Sequence, residues 1–113
     1  MSENVFEGSV SRNGNFAAAF ESDADTAYFY VYRIVNSSEY KVIGEIRMGS
    51  RNLGIKSSEI AVHWDATDEK VGLFINGTLW AVFEISSGKK YGGNYRFGGT
   101  PRIPPEAQIR LSH

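Results

Sequence analysis

From Ala27 to Val35 the chain reads Ala-Tyr-Phe-Tyr-Val-Tyr-Arg-Ile-Val, so that every residue except Ala27 and Arg33 is aromatic or β-branched. Such side chains lose rotamer freedom against the preceding turn of a helix but suit the pleated surface of a sheet. The run therefore predicts a strand. Period two puts Tyr28, Tyr30, Tyr32 and Ile34 on one face and Phe29, Val31, Arg33 and Val35 on the other. With large side chains on both faces, the strand is expected in the middle of a sheet.

The neighbouring segments repeat the pattern. Asn36 to Glu39 reads as a turn, and Tyr40 to Met48 as the returning strand, with Tyr40, Val42, Ile46 and Met48 opposed to Lys41, Ile43, Glu45 and Arg47. Upstream, Phe16, Ala18 and Phe20 alternate within residues 15–21 and predict a strand that leads in through the turn Ser22 to Asp25. Helix competes there, because three alanines favour it. Downstream, Ile60, Val62 and Trp64 alternate with Ala61, His63 and Asp65. Val71, Leu73 and Ile75 do so with Gly72, Phe74 and Asn76, and Ala81, Phe83 and Ile85 with Trp80, Val82 and Glu84. Asn76-Gly77 between the last two runs is the strongest short-range hairpin signal, since a type I′ turn needs positive φ at both central residues. No segment carries a sustained 3.6-residue apolar stripe over the roughly 11 residues of a helical window.

These signals predict a mainly β fold: a single antiparallel domain of six to eight strands, built as a flattened sandwich or a partly open barrel. One domain is also what 113 residues suggest. The regular body is expected over about residues 14–86, followed by an irregular segment, 87–106, and a short tail, 107–113. All three prolines and five of the 12 glycines fall in the irregular segment. In the tail, Ala107 to Leu111 suggests one more short strand, with Ile109 and Leu111 turned inward.

Composition restricts the function classes. There is no cysteine, which removes disulfides, thiolate metal sites and thiol nucleophiles, and suits a reducing compartment. A formal charge of -1 argues against nucleic acid, whose phosphates call for concentrated Lys and Arg. The N-terminus lacks a basic segment followed by an apolar run, and no stretch approaches the ~18 apolar residues of a membrane span. A cytoplasmic protein without a membrane or nucleic-acid partner is the expectation.

Two stretches are reminiscent of one another's company elsewhere: Ala18-Ala19-Phe20-Glu21-Ser22-Asp23-Ala24-Asp25-Thr26-Ala27-Tyr28-Phe29-Tyr30, and Val62-His63-Trp64-Asp65 followed by Lys70 to Gly77 and Ala81-Val82-Phe83-Glu84. Together they resemble a family of small bacterial domains of unknown function, with an acidic turn before a Tyr-Phe-Tyr strand and a later strand ending in Ile-Asn-Gly. The resemblance implies a bacterial origin and a compact β-rich domain, and carries no activity with it. The family pattern has a His where this chain has Trp80, so any acid–base role of that His does not transfer.

Four groups of residues have chemistry to offer. His63 and Asp65, two apart on one face of a strand, have ligand chemistry. Without cysteine or a second nearby His, however, the pattern assigns no metal, and a solvated strand face accounts for both. A triad needs a nucleophile, a base in reach and a group that orients the base; no Gly-x-Ser-x-Gly elbow is present, and no catalytic residue or cofactor is assigned. The segment from Gly88 to Gly99 combines glycines with Lys89, Lys90, Arg96, Tyr91, Tyr95 and Phe97. It could cradle an anion, or be a surface loop pinned to the core by its aromatics. Finally, two Trp, six Tyr and seven Phe suggest an interface, because Tyr and Trp join a large apolar ring to a polar group. The leading expectation is a non-catalytic interaction module that buries Tyr30, Tyr32 or Trp80 against a protein partner or a second copy, oriented by Arg33 and Arg47. The alternative is a small-ligand-binding domain or minor enzyme that uses the Gly88 to Gly99 loop, with Tyr91, Tyr95 and Arg96, together with His63 and Asp65.

Overall fold

The computed structural model describes residues 4–49 and 54–109. Among the described residues eight strands form in chain order: β1 (Val5–Val10), β2 (Phe16–Ser22), β3 (Ala27–Asn36), β4 (Glu39–Gly49), β5 (Ile60–Trp64), β6 (Lys70–Ile75), β7 (Thr78–Glu84) and β8 (Lys90–Gly92). They make two four-stranded antiparallel meanders, β1-β2-β3-β4 and β5-β6-β7-β8. The sheets pack face to face as a sandwich, not a closed barrel. The alternating segments become strands, Phe16 to Phe20 among them, and the Tyr-rich β3 is central. Regular structure begins earlier than the alternation suggested, because Val5–Val10 pairs along β2 from Val5↔Ser22 to Val10↔Ala17. β8 lies inside the segment expected to be irregular.

The inner faces supply the main core. Phe20, Phe29, Val31 and Met48 of the first sheet meet Val71, Leu73, Ile75 and Phe83 of the second, all fully buried or nearly so. Phe20 and Phe29 are cross-strand neighbours, the arrangement in which side chains stabilise a sheet pairwise. Each such burial contributes about 1.5–3 kcal/mol. Gly44 lets the sheets approach closely: a methyl group there would lie 2.2 Å from Cε2 of Phe83.

Two bulges redirect side chains from the faces that plain alternation gives them. Between Val31↔Gly44 and Tyr32↔Val42 the register skips Ile43. An extra residue in one strand reverses the facing beyond it. Gly44, Ile46 and Met48 therefore point into the core, while Tyr40 and Val42 lie outside beside Tyr32. In the second sheet Leu73 pairs with Ala81 and Phe74 with Leu79, leaving Trp80 as the extra residue. Trp80 joins Ala81 and Phe83 in the inner core, whereas Leu79 and Val82 turn to the opposite face.

The sheets are tied at both margins. At one, Asp68 is buried and its carboxylate accepts the backbone N–H groups of Arg12 at 3.3 Å and Asn13 at 3.0 Å. The Trp64 indole N–H donates to the Ser9 carbonyl at 3.2 Å. At the other, Gly92 and Gly93, with φ of 81° and 103°, swing the chain off the second sheet. Gly93 N–H donates to the Trp80 carbonyl at 2.9 Å, Asn94 N–H to that of Arg47 at 3.0 Å, and Tyr95 N–H to that of Met48 at 2.9 Å. The crossing chain thus pairs with the edge of β4, covering groups that an edge strand would leave open.

The C-terminal segment lies over the outer face of the second sheet. Ile103, Ala107 and Ile109 pack on Phe74, Leu79 and Val82, with Ala61 and Tyr91 alongside. The described part of the predicted tail strand is not a strand: Ala107 ends a 3-10 turn that begins at Pro105, and Gln108 and Ile109 are irregular. Pro104 and Pro105 explain this, since proline supplies no ladder N–H. Ile109 is turned inward as expected; Leu111 lies outside the described residues.

Candidate functional site

The outer face of the first sheet is made of three cross-strand rows set by the register. They run Phe6, Glu21, Tyr28, Arg47; then Gly8, Ala19, Tyr30, Glu45; then Val10, Ala17, Tyr32, Val42. Tyr40 follows beyond the bulge. The tyrosines form a continuous ridge: Tyr28 stacks on Tyr30 at 5.4 Å, Tyr30 leans on Tyr32 at 6.1 Å, and Tyr40 meets Tyr32 edge-on at 6.3 Å. Phe6 and Val10 make a second ridge on β1. Between the two, Gly8, Ala17 and Ala19 form the floor of an apolar groove of about 370 Å³. Phe6 is 65% exposed, Val10 55%, Tyr40 52% and Val42 49%. No other part of the described chain lies over them, in contrast to the second sheet.

One pair of polar groups on this face is joined. Tyr32 donates its hydroxyl hydrogen bond to the Glu21 carboxylate. Burial first, then that bond and the Glu21 charge, push the Tyr32 hydroxyl well above its ordinary value. Tyr30 is also raised, by burial and then by Glu45 and Glu21. Both hydroxyls therefore stay protonated at neutral pH. Tyr30 can donate a hydrogen bond at the rim of an apolar face, the Tyr32 donor being taken by Glu21, and neither is an activated nucleophile or base.

The remaining sequence candidates separate. Arg33 is exposed, near the overhanging end of the β3–β4 hairpin, in register with Lys41. The His63 ring is half-buried and packs edge-on against Phe74 at 5.8 Å. Asp65 closes its own turn, accepting N–H groups from Glu69 at 2.9 Å and Lys70 at 3.2 Å and the Thr67 hydroxyl at 3.2 Å. Among the described residues no group of three or more His, Cys, Asp or Glu could hold a metal ion. Trp80 is only 5% exposed, and Tyr95 meets it edge-on at 4.8 Å. Tyr91 packs on the second sheet's outer cluster.

The Gly88 to Gly99 loop encloses a polar cleft of about 450 Å³, whose lining includes Trp80, Gly93, Asn94, Arg96, Thr100 and Arg102. Two of its aromatics, Tyr91 and Tyr95, pin it to the core, whereas Phe97 is 94% exposed. The amides of Gly93, Asn94 and Tyr95 are bonded to backbone carbonyls, so these glycines build a crossing, not an amide cradle.

A family model described as an uncharacterized protein conserved in bacteria (DUF2251) matches residues 1–97. The chain belongs to this bacterial family. No curated protein and no solved structure matches it. The matched span contains all four strands of the aromatic face and Arg96, whereas Arg102 and the covering residues Ile103, Ala107 and Ile109 lie beyond it. No helix among the described residues is long and apolar enough to cross a membrane.

Reasoning from sequence missed Phe6, Val10, Tyr40 and Val42 as members of the face. The signal for β1 was present: Phe6, Gly8 and Val10 alternate with Val5, Glu7 and Ser9. For Tyr40 and Val42 the obstacle was the bulge at Ile43, which a single strand's alternation does not reveal.

Proposed function

We propose that this chain is a non-catalytic interaction module, working in the cytoplasm, that associates with a second copy of itself through the outer face of its first sheet. The observation that carries this reading is the contrast in covering. A contiguous apolar face with four tyrosines, Phe6 and two valines is left to solvent, while the same fold covers the other sheet's outer face with its own chain. Patches of this kind mark interaction surfaces on soluble domains, and Tyr is enriched where such surfaces are buried.

Charge favours a second copy. Glu21, Glu45 and Arg47 lie beside Tyr28 and Tyr30 at one end of the face, and the uncharged Val10, Tyr32, Val42 and Tyr40 at the other, while Arg33 and Lys41 alternate onto the opposite side of the sheet. A two-fold axis lying across the strands reverses their direction and sets the charged end of one copy over the uncharged end of the other, which keeps like charges apart. Arg47 of one copy then approaches the Tyr40 ring of the second. Four strands about 4.8 Å apart and seven residues long cover roughly 400 Å² in projection. Because a standard interface buries about 800 Å² per partner, the association is expected to be weak and reversible.

Sedimentation equilibrium from micromolar to millimolar protein tests this. The wild type is expected to pass from monomer to dimer across that range. Val10→Ser combined with Tyr40→Ser should weaken dimerisation at least about tenfold, or 1.4 kcal/mol, while changing thermal stability little. A wild type that remains monomeric at millimolar concentration, or a double variant that dimerises as well as the wild type, overturns the proposal.

A further inference from the structure

Beside the loop cleft the local charge balance departs from that of the whole chain. Overall, 13 acidic residues slightly exceed 12 basic ones, yet the cleft is lined by Arg96 and Arg102 and by no carboxylate. Asn94 and Thr100 add an amide and a hydroxyl, and Trp80, itself only 5% exposed, forms part of the wall. From these observations we infer that the cleft is a binding site for a small oxyanion, a phosphate or carboxylate group carried on a compact molecule.

Three features make it a site and not merely a pair of surface cations. The wall is held in place, since the chain from Gly93 to Tyr95 is bonded to the Trp80, Arg47 and Met48 carbonyls. A side chain at Gly92 would meet the Trp80 carbonyl oxygen at 2.2 Å, so the close packing that shapes the cleft requires glycine. Arg96 opens a tight turn closed by Gly99 N–H to the Arg96 carbonyl at 2.9 Å, with Gly98 at φ 75°. Pro101 fixes φ immediately before Arg102. Arg96 and Arg102 thus line one cleft from chain segments whose backbone is set by a turn and a proline, which lowers the entropic cost of binding. Arginine is the side chain whose fork of donors matches carboxylate and phosphate oxygens in pairs. A cleft of about 450 Å³ lies within the size range of small-molecule sites.

The chain has two tryptophans, so Trp64→Phe leaves Trp80 as the fluorescent reporter. In that background, inorganic phosphate, adenosine monophosphate, citrate and benzoate are titrated at constant ionic strength, with chloride as the control. A saturable fluorescence change is expected for at least one of the phosphate or carboxylate probes, with Kd of about 1 mM or tighter. Response to the phosphates alone assigns the site to phosphoryl groups, and response to citrate or benzoate alone assigns it to carboxylates. Arg96→Ala and Arg102→Ala should each weaken binding at least about tenfold, with partial retention in the Lys variants. Because Trp64 also bonds to Ser9, the same titrations followed by the Trp80 indole N–H resonance in wild-type protein remove any dependence on that substitution. Absence of a saturable change with every probe overturns the inference. So does a change that chloride reproduces or that persists unaltered in both alanine variants.

Discussion

The two sheets are built alike and finished differently. Each is a four-stranded antiparallel meander, each gives one face to the common core, and each has a bulge that turns a residue out of simple alternation. Their outer faces diverge. Over the second sheet, Ile103, Ala107 and Ile109 form a small second core with Phe74, Leu79 and Val82; over the first, Phe6, Val10, Tyr40 and Val42 are about half exposed or more. The difference separates stability from recognition. Apolar area that the chain itself covers stabilises the monomer, whereas area of similar character left open is available to another surface. The open face also differs in kind: tyrosine hydroxyls line it, and Tyr32 is anchored on Glu21, so it tolerates water better than Phe74 or Leu79 would.

The sharpest way to break this contrast is to remove the cover. Ile109→Ala deletes a buried side chain, 7% exposed, and leaves a space between the tail and the sheet. Loss of about 2–4 kcal/mol is expected, measured as a shift of the urea midpoint. Deletion of residues 103–113 should have a larger effect and give a protein that aggregates, because it uncovers Phe74, Leu79 and Val82. A midpoint unchanged in Ile109→Ala would show that the two outer faces are energetically equivalent, and the contrast would lose its meaning.

How far the fold could be read from sequence depends on which interactions made it. β3, β5, β6 and β7 were legible because each alternates strongly over its own length, and the Asn76-Gly77 turn was legible because few residue pairs accept positive φ twice; both do so here. β1 escaped notice because Gly8, Glu7 and Ser9 dilute its pattern and only pairing with β2 completes it. The bulges at Ile43 and Trp80 are properties of strand pairs, so the alternation of one strand placed Tyr40 and Trp80 on the wrong faces. In the candidate sites, Tyr30 and Tyr32 were found by period two, and Arg96 by its loop. Arg102 was not found, since it reaches the cleft only after a crossing that long-range backbone bonds hold at Gly93 to Tyr95 and a turn at Arg96 to Gly99. His63 and Asp65, neighbours in sequence with ligand chemistry, are engaged separately, one by Phe74 and one by its own turn.

A smaller effect distinguishes the open face through its tyrosines. Tyr30 and Tyr32 both have hydroxyl values raised in the folded protein. A group whose folded value lies above its unfolded value contributes stability that is fully present below the unfolded value, about 10 for Tyr. That contribution is lost as pH rises through the folded value. Spectrophotometric titration should therefore show phenolate absorbance arising in more than one step, with the latest step missing in Tyr32→Phe. A single step near pH 10 for all six tyrosines would contradict the burial and hydrogen bonding that raise these two.

The smallest effects bear on the similarity of the two sheets. Asp23 turns the chain from β2 into β3, accepting the N–H groups of Asp25 and Thr26, both at 2.8 Å. Those bonds hold its carboxyl below the usual value. Glu59 does comparable work where the chain enters β5, accepting the Lys56 N–H at 2.9 Å and the Asn76 amide at 3.0 Å, and is lowered for that reason. For a lowered carboxyl the sign is opposite to that of tyrosine: its contribution is present above the unfolded value, about 4, and is lost as pH falls through the folded one. Asp23→Asn and Glu59→Gln keep an acceptor oxygen but cannot titrate. Each should make stability fall less steeply between about pH 5 and pH 2, and their effects should add, since the two groups share no partner. An acid limb as steep in the double variant as in the wild type would mean that neither carboxylate is held in its folded partnership, and that the turns entering the two sheets are maintained by backbone conformation alone.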